Sequence, residues 1–249
     1  MPGGALNAAG GVLNVVCVLF DGFELLDAAG PLELFSCLNK VLRVREQSSR
    51  GLASLDDVPE RVRISTLSLG KTNVARSSMG PNASMVLGPA MLCDFVLDTS
   101  KGEDGSLPGE LPARIDVLLV PGGSGVREIV TDAARLRALR RLCESPAVQT
   151  VMTVCTGSAA LAASGVLDNV TATSNKLAWD WVVQQGPRVK WLRRARYHFD
   201  GRWATSSGVA AGMDLAVALI ERLLPGLGLE SARVAEYVSN LQPDNDPFA

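Results

Sequence analysis

The stretch Q-T-V-M-T-V-C-T-G-S-A-A-L-A-A-S-G, residues 149–165, carries one cysteine between an apolar run and a segment of small residues. Residues 149–154 are typical of a buried strand, and the residues from Thr156 onward favour a tightly packed helix. Cys155 is therefore predicted at a strand-to-helix corner, where free N–H groups and the helix dipole favour thiolate over thiol. Nucleophile elbows have this geometry. The alternative is a buried structural cysteine, and the corner position and Gly157 weigh against it.

Short apolar or alternating runs between turn residues predict the other strands. They lie at 12–20, 62–69, 116–120 and 170–174, in a hairpin of 73–77 with 84–87 around M-G-P-N, and in two strands within 194–207.

Helical spacing predicts a helix that opens at Pro31, and others at 131–144, 177–184, 210–223 and 230–241, with loops at 41–60 and 98–112. Strands alternating with helices predict an α/β fold, a doubly wound and mostly parallel sheet flanked by helices.

Length and composition indicate a globular protein. The 249 residues show no repeat and no clear boundary, so one domain over 1–249 is predicted, with 1–11 as a disordered tail. Apolar residues make up 47% and charged residues 20% of the chain, which argues against disorder. The formal net charge of −2 gives no reason to expect nucleic-acid binding. The basic cluster is interpreted as a solvated strand edge: Lys190, Arg193, Arg194 and Arg196.

The cysteines favour a reducing compartment over a disulfide scaffold. Five are present, an odd number without metal-ligand spacing, and the chain has one histidine, so neither a metal site nor another cofactor is expected. The N-terminus lacks the basic segment of a signal peptide, and no uncharged apolar stretch is long enough to span a membrane. A soluble cytoplasmic protein without membrane contact is predicted.

Three predicted loops bring candidate catalytic groups together. In doubly wound sheets, ligands bind beyond the carboxyl ends of the strands. The first strand leads into D-G-F-E-L-L-D at 21–27, the strand at 116–120 leads into P-G-G, and the strand at 149–154 leads into Cys155. A carboxylate, backbone amides and a thiolate then make a plausible catalytic set.

Asp27 has an apolar setting, between Leu26 and A-A-G-P. Desolvation there raises the pKa of its carboxyl and lets it exchange a proton with a neighbouring group. The alternative, equally compatible with the sequence, is that Asp27 caps a helix opening at Pro31.

Gly122, Gly123 and Thr156 are candidates for binding the substrate through backbone N–H groups that stabilise a developing negative charge. A tight turn after the strand is the alternative for the two glycines. His198 is predicted on a hairpin, which argues against a Cys–His dyad. Two tryptophans and a leucine are predicted to pack a helix or a dimer surface, a substrate pocket being the other interpretation: Trp179, Trp181 and Leu177.

Taken together, these pieces resemble the ThiJ/PfpI superfamily, within the class I glutamine amidotransferase-like, flavodoxin-like fold. The resemblance runs from about residue 13 to 247, through L-F-D-G-F-E-L-L-D-A-A-G-P-L-E, D-V-L-L-V-P-G-G, V-C-T-G-S-A-A-L-A-A-S-G-V-L and W-A-T-S-S-G-V-A-A-G-M-D-L-A. The C-T-G elbow with L-D-x-x-G-P is most similar to the isocyanide (isonitrile) hydratase branch. The segment T-S-N-K-L-A-W-D-W-V, followed by G-P-R-V-K-W, resembles fungal members of it.

The resemblance implies Cys155 as nucleophile, Asp27 as the acid beside it, and backbone amides from Gly123 and Thr156 near the reacting group. It also implies a strained cysteine backbone, a small-molecule substrate and a homodimer. One departure matters, since Asn175 stands where many relatives carry a histidine. Asparagine can donate a hydrogen bond but cannot relay a proton at neutral pH.

The leading hypothesis is a cofactor-independent hydratase that converts an isocyanide to an N-formyl amine through a thioimidate on Cys155. A glyoxalase-like or deglycating hydro-lyase on reactive carbonyls is the second, and Asn175 argues against it. The third is a redox-sensing stress protein in which Cys155 is oxidised without turnover.

Overall fold

The structure is a computed structural model and describes residues 11–48, 61–78, 87–99 and 110–249. Several sequence predictions fall outside the described residues: the tail at 1–10, the loop at 49–60, the hairpin turn with most of its second strand at 79–86, and the loop at 100–109.

The predicted strands occur in the predicted order, and two short strands, at 95–96 and 190–191, were not predicted. Their bounds are β1 Val12–Leu19, β2 Arg61–Ser68, β3 Val74–Ser78, β4 Leu87–Leu92, β5 Phe95–Val96, β6 Ile115–Val120, β7 Val148–Thr153, β8 Thr171–Ala172, β9 Lys190–Trp191, β10 Tyr197–Asp200 and β11 Trp203–Ser206.

The helices lie between these strands and after the last of them. Their bounds are α1 Leu25–Ser48, α2 Val126–Ile129, α3 Ala133–Glu144, α4 Gly157–Ala163, α5 Trp179–Gln185, α6 Ala210–Leu223 and α7 Leu227–Val234.

A seven-stranded sheet forms the centre of the fold, in the order β10-β11-β7-β6-β1-β2-β5. Every neighbouring pair in it is parallel except β10 with β11. The central strands β1 and β6 are largely apolar and buried, and β7 is buried over its last three residues, as strands covered by helices on both faces must be. Their carboxyl ends lie at one edge, so the loops after Leu19, Val120 and Thr153 meet there. The predicted α/β architecture, a mostly parallel sheet flanked by helices, is confirmed.

Helix α1 begins before the position that the sequence predicted. It starts at Leu25 and contains Pro31 in its interior, whereas a helix opening at Pro31 was expected. A proline usually lies in the first turn of a helix, because it cannot donate a backbone hydrogen bond to the turn before it. Here the helix begins more than one turn earlier, because burial of Asp27 and Ala28 stabilises its first turn. Asp27 is therefore a first-turn residue, not the cap of a helix at Pro31. The helix also continues through 41–48, part of a predicted loop, where Val41 and Leu42 pack into the core.

Helix α7 spans Leu227–Val234, not the predicted 230–241. Its end is marked by Glu236, whose φ of 51° lies in the left-handed region and breaks the helical repeat. The Tyr237 hydroxyl then donates to Asp214 on α6, at 2.7 Å. This tertiary contact draws the chain away from the helical path that its sequence favours.

Arg196 is not part of a solvated edge. Its guanidinium is buried and forms an ion pair with Asp214, at 2.7 Å from Nε and 2.6 Å from Nη2. Lys190, Arg193 and Arg194 are exposed, as predicted. Arg196 differs from these three residues because the carboxylate of Asp214 is fully buried, and a buried carboxylate requires a charged partner that also donates hydrogen bonds to it.

Two short strands differ in length from their predictions. The hairpin of β3 with β4 is antiparallel as expected, but β4 continues through Pro89, because a two-stranded ribbon has a free edge that tolerates a missing N–H. Strand β8 covers only Thr171–Ala172 of the predicted 170–174. It stops because the N–H of Thr173 donates to the Thr205 hydroxyl, at 2.9 Å, instead of to a neighbouring strand.

Candidate active site

Cys155 occupies the predicted corner between β7 and α4. Its φ is 56°, in the left-handed region that non-glycine residues rarely adopt, which confirms the expected backbone strain. Its N–H donates to the carbonyl of Ser207, at 3.0 Å. Its own carbonyl accepts a hydrogen bond from the Ser174 hydroxyl, at 2.9 Å, and lies 3.1 Å from the Ser158 hydroxyl, whose shorter contact is with Ser174. These contacts, from α4 and from the loops after β8 and β11, hold the strained residue in place.

Gly157 is required at the first position of α4. A Cβ there would collide with the backbone carbonyls of Val120 and Pro121, so the helix and the end of β6 approach more closely than any side chain permits. This close approach brings the loop after β6 against Cys155.

Asp27 lies in the first turn of α1 with none of its surface exposed. Its Oδ2 accepts a hydrogen bond from the N–H of Gly122, at 3.0 Å, across 95 residues of sequence. Its Oδ1 is buried and, within the part of the chain that the structure describes, has no partner at normal hydrogen-bonding geometry. Such an atom is an acceptor held ready for a proton or a ligand group.

Burial raises the pKa of Asp27 to about 7. The Gly122 N–H opposes this shift by stabilising the carboxylate, the nearby Glu24 adds to it by charge repulsion, and the Cys155 thiol opposes it more weakly. The sequence-based expectation of a raised pKa is confirmed. At neutral pH the group therefore exists in both protonation states, as a general acid–base catalyst requires.

The environment of Cys155 differs from the expected one. The thiol is 7% exposed, and burial, followed by the charge of Asp27, raises its pKa. The backbone N–H of Thr156 and the side chains of Asn175 and Thr156 act in the opposite direction. The thiolate that the corner geometry favours is therefore opposed by desolvation of the buried sulfur, which the donors at the N-terminus of the seven-residue α4 offset only in part.

The amides of Gly122 and Gly123 bind side chains of the site. Gly122 N–H donates to Asp27, and Gly123 N–H donates to the Thr156 hydroxyl, at 3.0 Å. Gly123 has a φ of 125°, which only glycine adopts readily. In this arrangement the P-G-G turn positions the two residues that flank Cys155. The role of these amides toward a substrate stays a prediction.

Ser174 and Asn175, in the loop after β8, were not chosen as site residues from the sequence. Ser174 supports the carbonyl of Cys155 and accepts a hydrogen bond from Ser158, at 2.8 Å. Asn175 approaches the sulfur. The sequence did contain one indication that position 175 belongs to the site, since Asn175 stands where many members of the family that the sequence resembles carry a histidine. Val209, before α6, has a strained φ of 31°, and no sequence pattern indicated it.

The other candidate side chains contact residues other than Cys155. His198 is on β10, paired with Thr205 in the predicted hairpin. Trp179 packs edge-to-face on Trp191, with ring centroids 6.1 Å apart, so it packs the helix as predicted. Trp181 lies beneath the guanidinium of Arg127, at 4.3 Å from the ring centroid. All five cysteines are free.

The raised pKa of Asp27 makes the stability of the fold depend on pH. The folded protein keeps this proton up to about pH 7, whereas the unfolded chain loses it near 3.8, so the folded state binds more protons between these values. Stability should therefore fall as the pH rises through this window. Relative to Asp27→Asn, which cannot ionise, the wild type should lose about 3 kcal/mol between about pH 4.5 and 7.5. Urea unfolding at both pH values measures this difference, and parallel pH dependences of the two proteins would contradict it.

Comparisons with known proteins assign the chain to a family. Residues 14–222 match the DJ-1/PfpI family. The chain belongs to the DJ-1/PfpI family. Over 129 residues it is 32% identical to the isonitrile hydratase of Pseudomonas putida, an alignment that covers 52% of this chain and 53% of that protein. The chain thus spans about half the length of the curated relative that it matches.

Solved structures show the same DJ-1/PfpI fold. A ThiJ/PfpI family protein from Pseudomonas syringae superposes with a TM-score of 0.68 at 20% identity, covering 96% of this chain and 83% of the other. Drosophila melanogaster DJ-1beta superposes with a TM-score of 0.63 at 16% identity, covering 91% and 99%. At these identities the likeness establishes the class I glutamine amidotransferase-like fold alone.

The described residues, 11–48, 61–78, 87–99 and 110–249, contain no group of three or more His, Cys, Asp or Glu side chains arranged to hold a metal ion. None of their helices is long and apolar enough to cross a bilayer.

Proposed function

We propose that this protein hydrates an isocyanide to an N-formyl amine, without a cofactor, with Cys155 as nucleophile and Asp27 as its proton partner. The observation that carries the proposal is the buried pair itself. The Asp27 carboxyl has a pKa of about 7 and an unpartnered oxygen, and it interacts with the protonated thiol of the strained elbow. The partial similarity to an isonitrile hydratase supports the choice of substrate class.

In the first half of the reaction, the Asp27 carboxylate accepts the Cys155 proton as the sulfur attacks the terminal carbon of R–N≡C. The same proton then passes from Asp27 to that carbon, which gives the thioimidate Cys–S–CH=N–R. One S–H bond is broken, one C–S and one C–H bond are formed, and Asp27 returns to its starting state. A carboxyl whose pKa lies near the working pH performs both transfers.

In the second half, Asp27 accepts a proton from water as the oxygen attacks the thioimidate carbon, and returns it to the nitrogen. The tetrahedral intermediate Cys–S–CH(OH)–NH–R then collapses. The C–S bond breaks, the hydroxyl proton moves to the sulfur through Asp27, and R–NH–CHO leaves. The thiol is regenerated, and the net reaction adds one water to the isocyanide.

The two rival activities fit the site less well. A redox sensor needs an exposed thiolate with a low pKa, whereas Cys155 is buried and its pKa is raised. Glyoxalase-like chemistry that relies on a Cys–His pair lacks a histidine at the sulfur, where Asn175 lies instead.

The proposal is tested by incubating the purified protein with an aryl isocyanide in ¹⁸O-labelled water. We expect catalytic formation of the aryl formamide with the label in its carbonyl, at a rate proportional to protein concentration. Stopped samples should show a protein adduct of the mass of the isocyanide, located on Cys155. Formamide at the rate of protein-free buffer would refute the proposal, and lactate from methylglyoxal instead would favour the glyoxalase-like alternative.

Several further expectations stay predictions. They are the single domain, the similarity to fungal members of the hydratase branch, a homodimer, a small-molecule substrate without nucleic-acid or membrane partners, and a cytoplasmic location.

A further inference from the structure

The segment 173–176 lies directly against the elbow. The Ser174 hydroxyl donates to the carbonyl of Cys155, at 2.9 Å. The N–H of Cys155 donates to the carbonyl of Ser207, at 3.0 Å, and the next residue, Gly208, packs against the Asn175 amide. Asn175 thus lies where the segment 173–176 meets the segment 207–208, and both segments form hydrogen bonds with the backbone of Cys155.

We propose that Asn175 is a catalytic residue, whose side-chain amide donates a fixed hydrogen bond to the Cys155 sulfur and stabilises the thiolate formed during turnover. The statement about turnover rests on the proposed function. The hydrogen bond to the sulfur does not, and it can be measured without any substrate.

The orientation of the Asn175 amide is determined by its other end. Its Oδ1 accepts a hydrogen bond from the N–H of Ala178, at 2.9 Å, at the start of α5. The Nδ2 group therefore points the other way, and it can only donate. A Cβ at position 208 would lie 2.6 Å from Nδ2, so Gly208 leaves room for the amide in this orientation.

The side chain of Lys176 fixes the position of the segment 173–176. Its buried ammonium donates to the Thr173 hydroxyl and the Ser174 carbonyl, both at 2.9 Å, and to the Ala195 carbonyl, at 2.8 Å. It also pairs with the buried carboxylate of Asp246, at 3.3 Å. Because these bonds fix the backbone on both sides of Asn175, the amide loses little freedom when it binds the sulfur.

A donor that does not titrate suits this particular pair of groups. Burial and the charge of Asp27 both disfavour the thiolate, so a preorganised donor has a large effect on its formation. A histidine here would compete with Asp27 for the proton near neutral pH. Because asparagine cannot accept a proton at neutral pH, Asp27 is the group that accepts the proton of the Cys155 thiol.

Asn175→Asp separates this role from a structural one. Aspartate caps a helix as well as asparagine does, so the bond from Ala178 is kept, but the donor to the sulfur becomes a negative charge. We expect alkylation of Cys155 by iodoacetamide, followed by peptide mass analysis near neutral pH, to be slower than in wild type by at least about 10-fold. Asn175→Ala, which removes the donor without adding charge, should be about 10-fold slower.

Asn39→Ala is the matched control. Asn39 also makes two hydrogen bonds, with the backbone of Val62 at the opposite edge of the sheet, so its loss lowers stability without touching the sulfur. Its alkylation rate at Cys155 should equal that of wild type. If the protein turns over isocyanide, Asn175→Ala should lower kcat by a similar factor and leave KM unchanged.

The outcomes are separable. Wild-type alkylation rates in both Asn175 variants would overturn the inference, and so would a loss in Asn175→Ala that Asn39→Ala reproduces. If Asn175→Asp does not fold, Asn175→Ala alone decides. Slower alkylation without isocyanide turnover by the wild type would support the hydrogen bond and remove the proposed function.

Discussion

Replacing Cys155 with serine is expected to abolish formamide production from an aryl isocyanide, with a loss in kcat of about 10⁴-fold or more. Serine preserves the size of the side chain at the elbow, so the fold should persist. Its hydroxyl is far less acidic and less nucleophilic than a thiol, so a carboxylate with a pKa of about 7 activates it much less effectively. Kinetics of formamide appearance, together with the loss of the covalent adduct, measure the effect.

Cys143→Ser is the matched control for this experiment. Cys143 is fully buried on α3 and its pKa is also raised by burial, to about 12. Because Cys143 takes no part in the site, the variant should keep the wild-type kcat even if its melting temperature falls. Equal rates from wild type and Cys155→Ser would show that the elbow sulfur does not carry the reaction.

Asp27→Asn has the second largest expected effect, a loss in kcat of about 10³-fold. The amide oxygen can still accept the N–H of Gly122, so the loop after β6 should stay in place. What is lost is the group that accepts the thiol proton and returns it to carbon and nitrogen. The wild-type kcat should change with pH around 7, and this inflection should be absent from the residual activity of the variant.

Asp116→Asn controls for the removal of a buried carboxylate. Asp116 is also buried, but it lies at the amino end of β6, where it accepts the N–H of Asn14, at 2.8 Å, and pairs with Arg114. This variant should retain the pH profile of the wild type. If Asp27→Asn also retained wild-type activity and its inflection near pH 7, the assignment of Asp27 as the proton partner would be wrong.

Local patterns predicted most of the fold. The apolar runs that became β1, β6 and β7 are recognisable because period and burial are properties of a few consecutive residues. Helix α6 was predicted at its observed bounds, Ala210–Leu223. Two of the helix boundaries that failed were decided by distant contacts, namely the burial of Asp27 before Pro31 and the bond from Tyr237 to Asp214 after α7.

The candidate site follows the same division. The corner at Cys155 and the meeting of three loops at one sheet edge could be predicted, since parallel strands place their carboxyl ends together. The protonation behaviour of Cys155 and Asp27 could not be predicted in this way. It depends on the desolvation of two buried groups and on donors from Gly122 and Asn175, residues that are remote in sequence.

By itself, therefore, the sequence determined that one cysteine stands at a strand-to-helix corner opposite a carboxylate. Only the tertiary structure decided that burial raises the pKa of both the Cys155 thiol and the Asp27 carboxyl, the latter to about 7. The physical reason is that the pKa of a group depends on its burial and on charges that are near it in three dimensions. The periodicity of strands and helices, in contrast, depends on residues that are close together in the sequence.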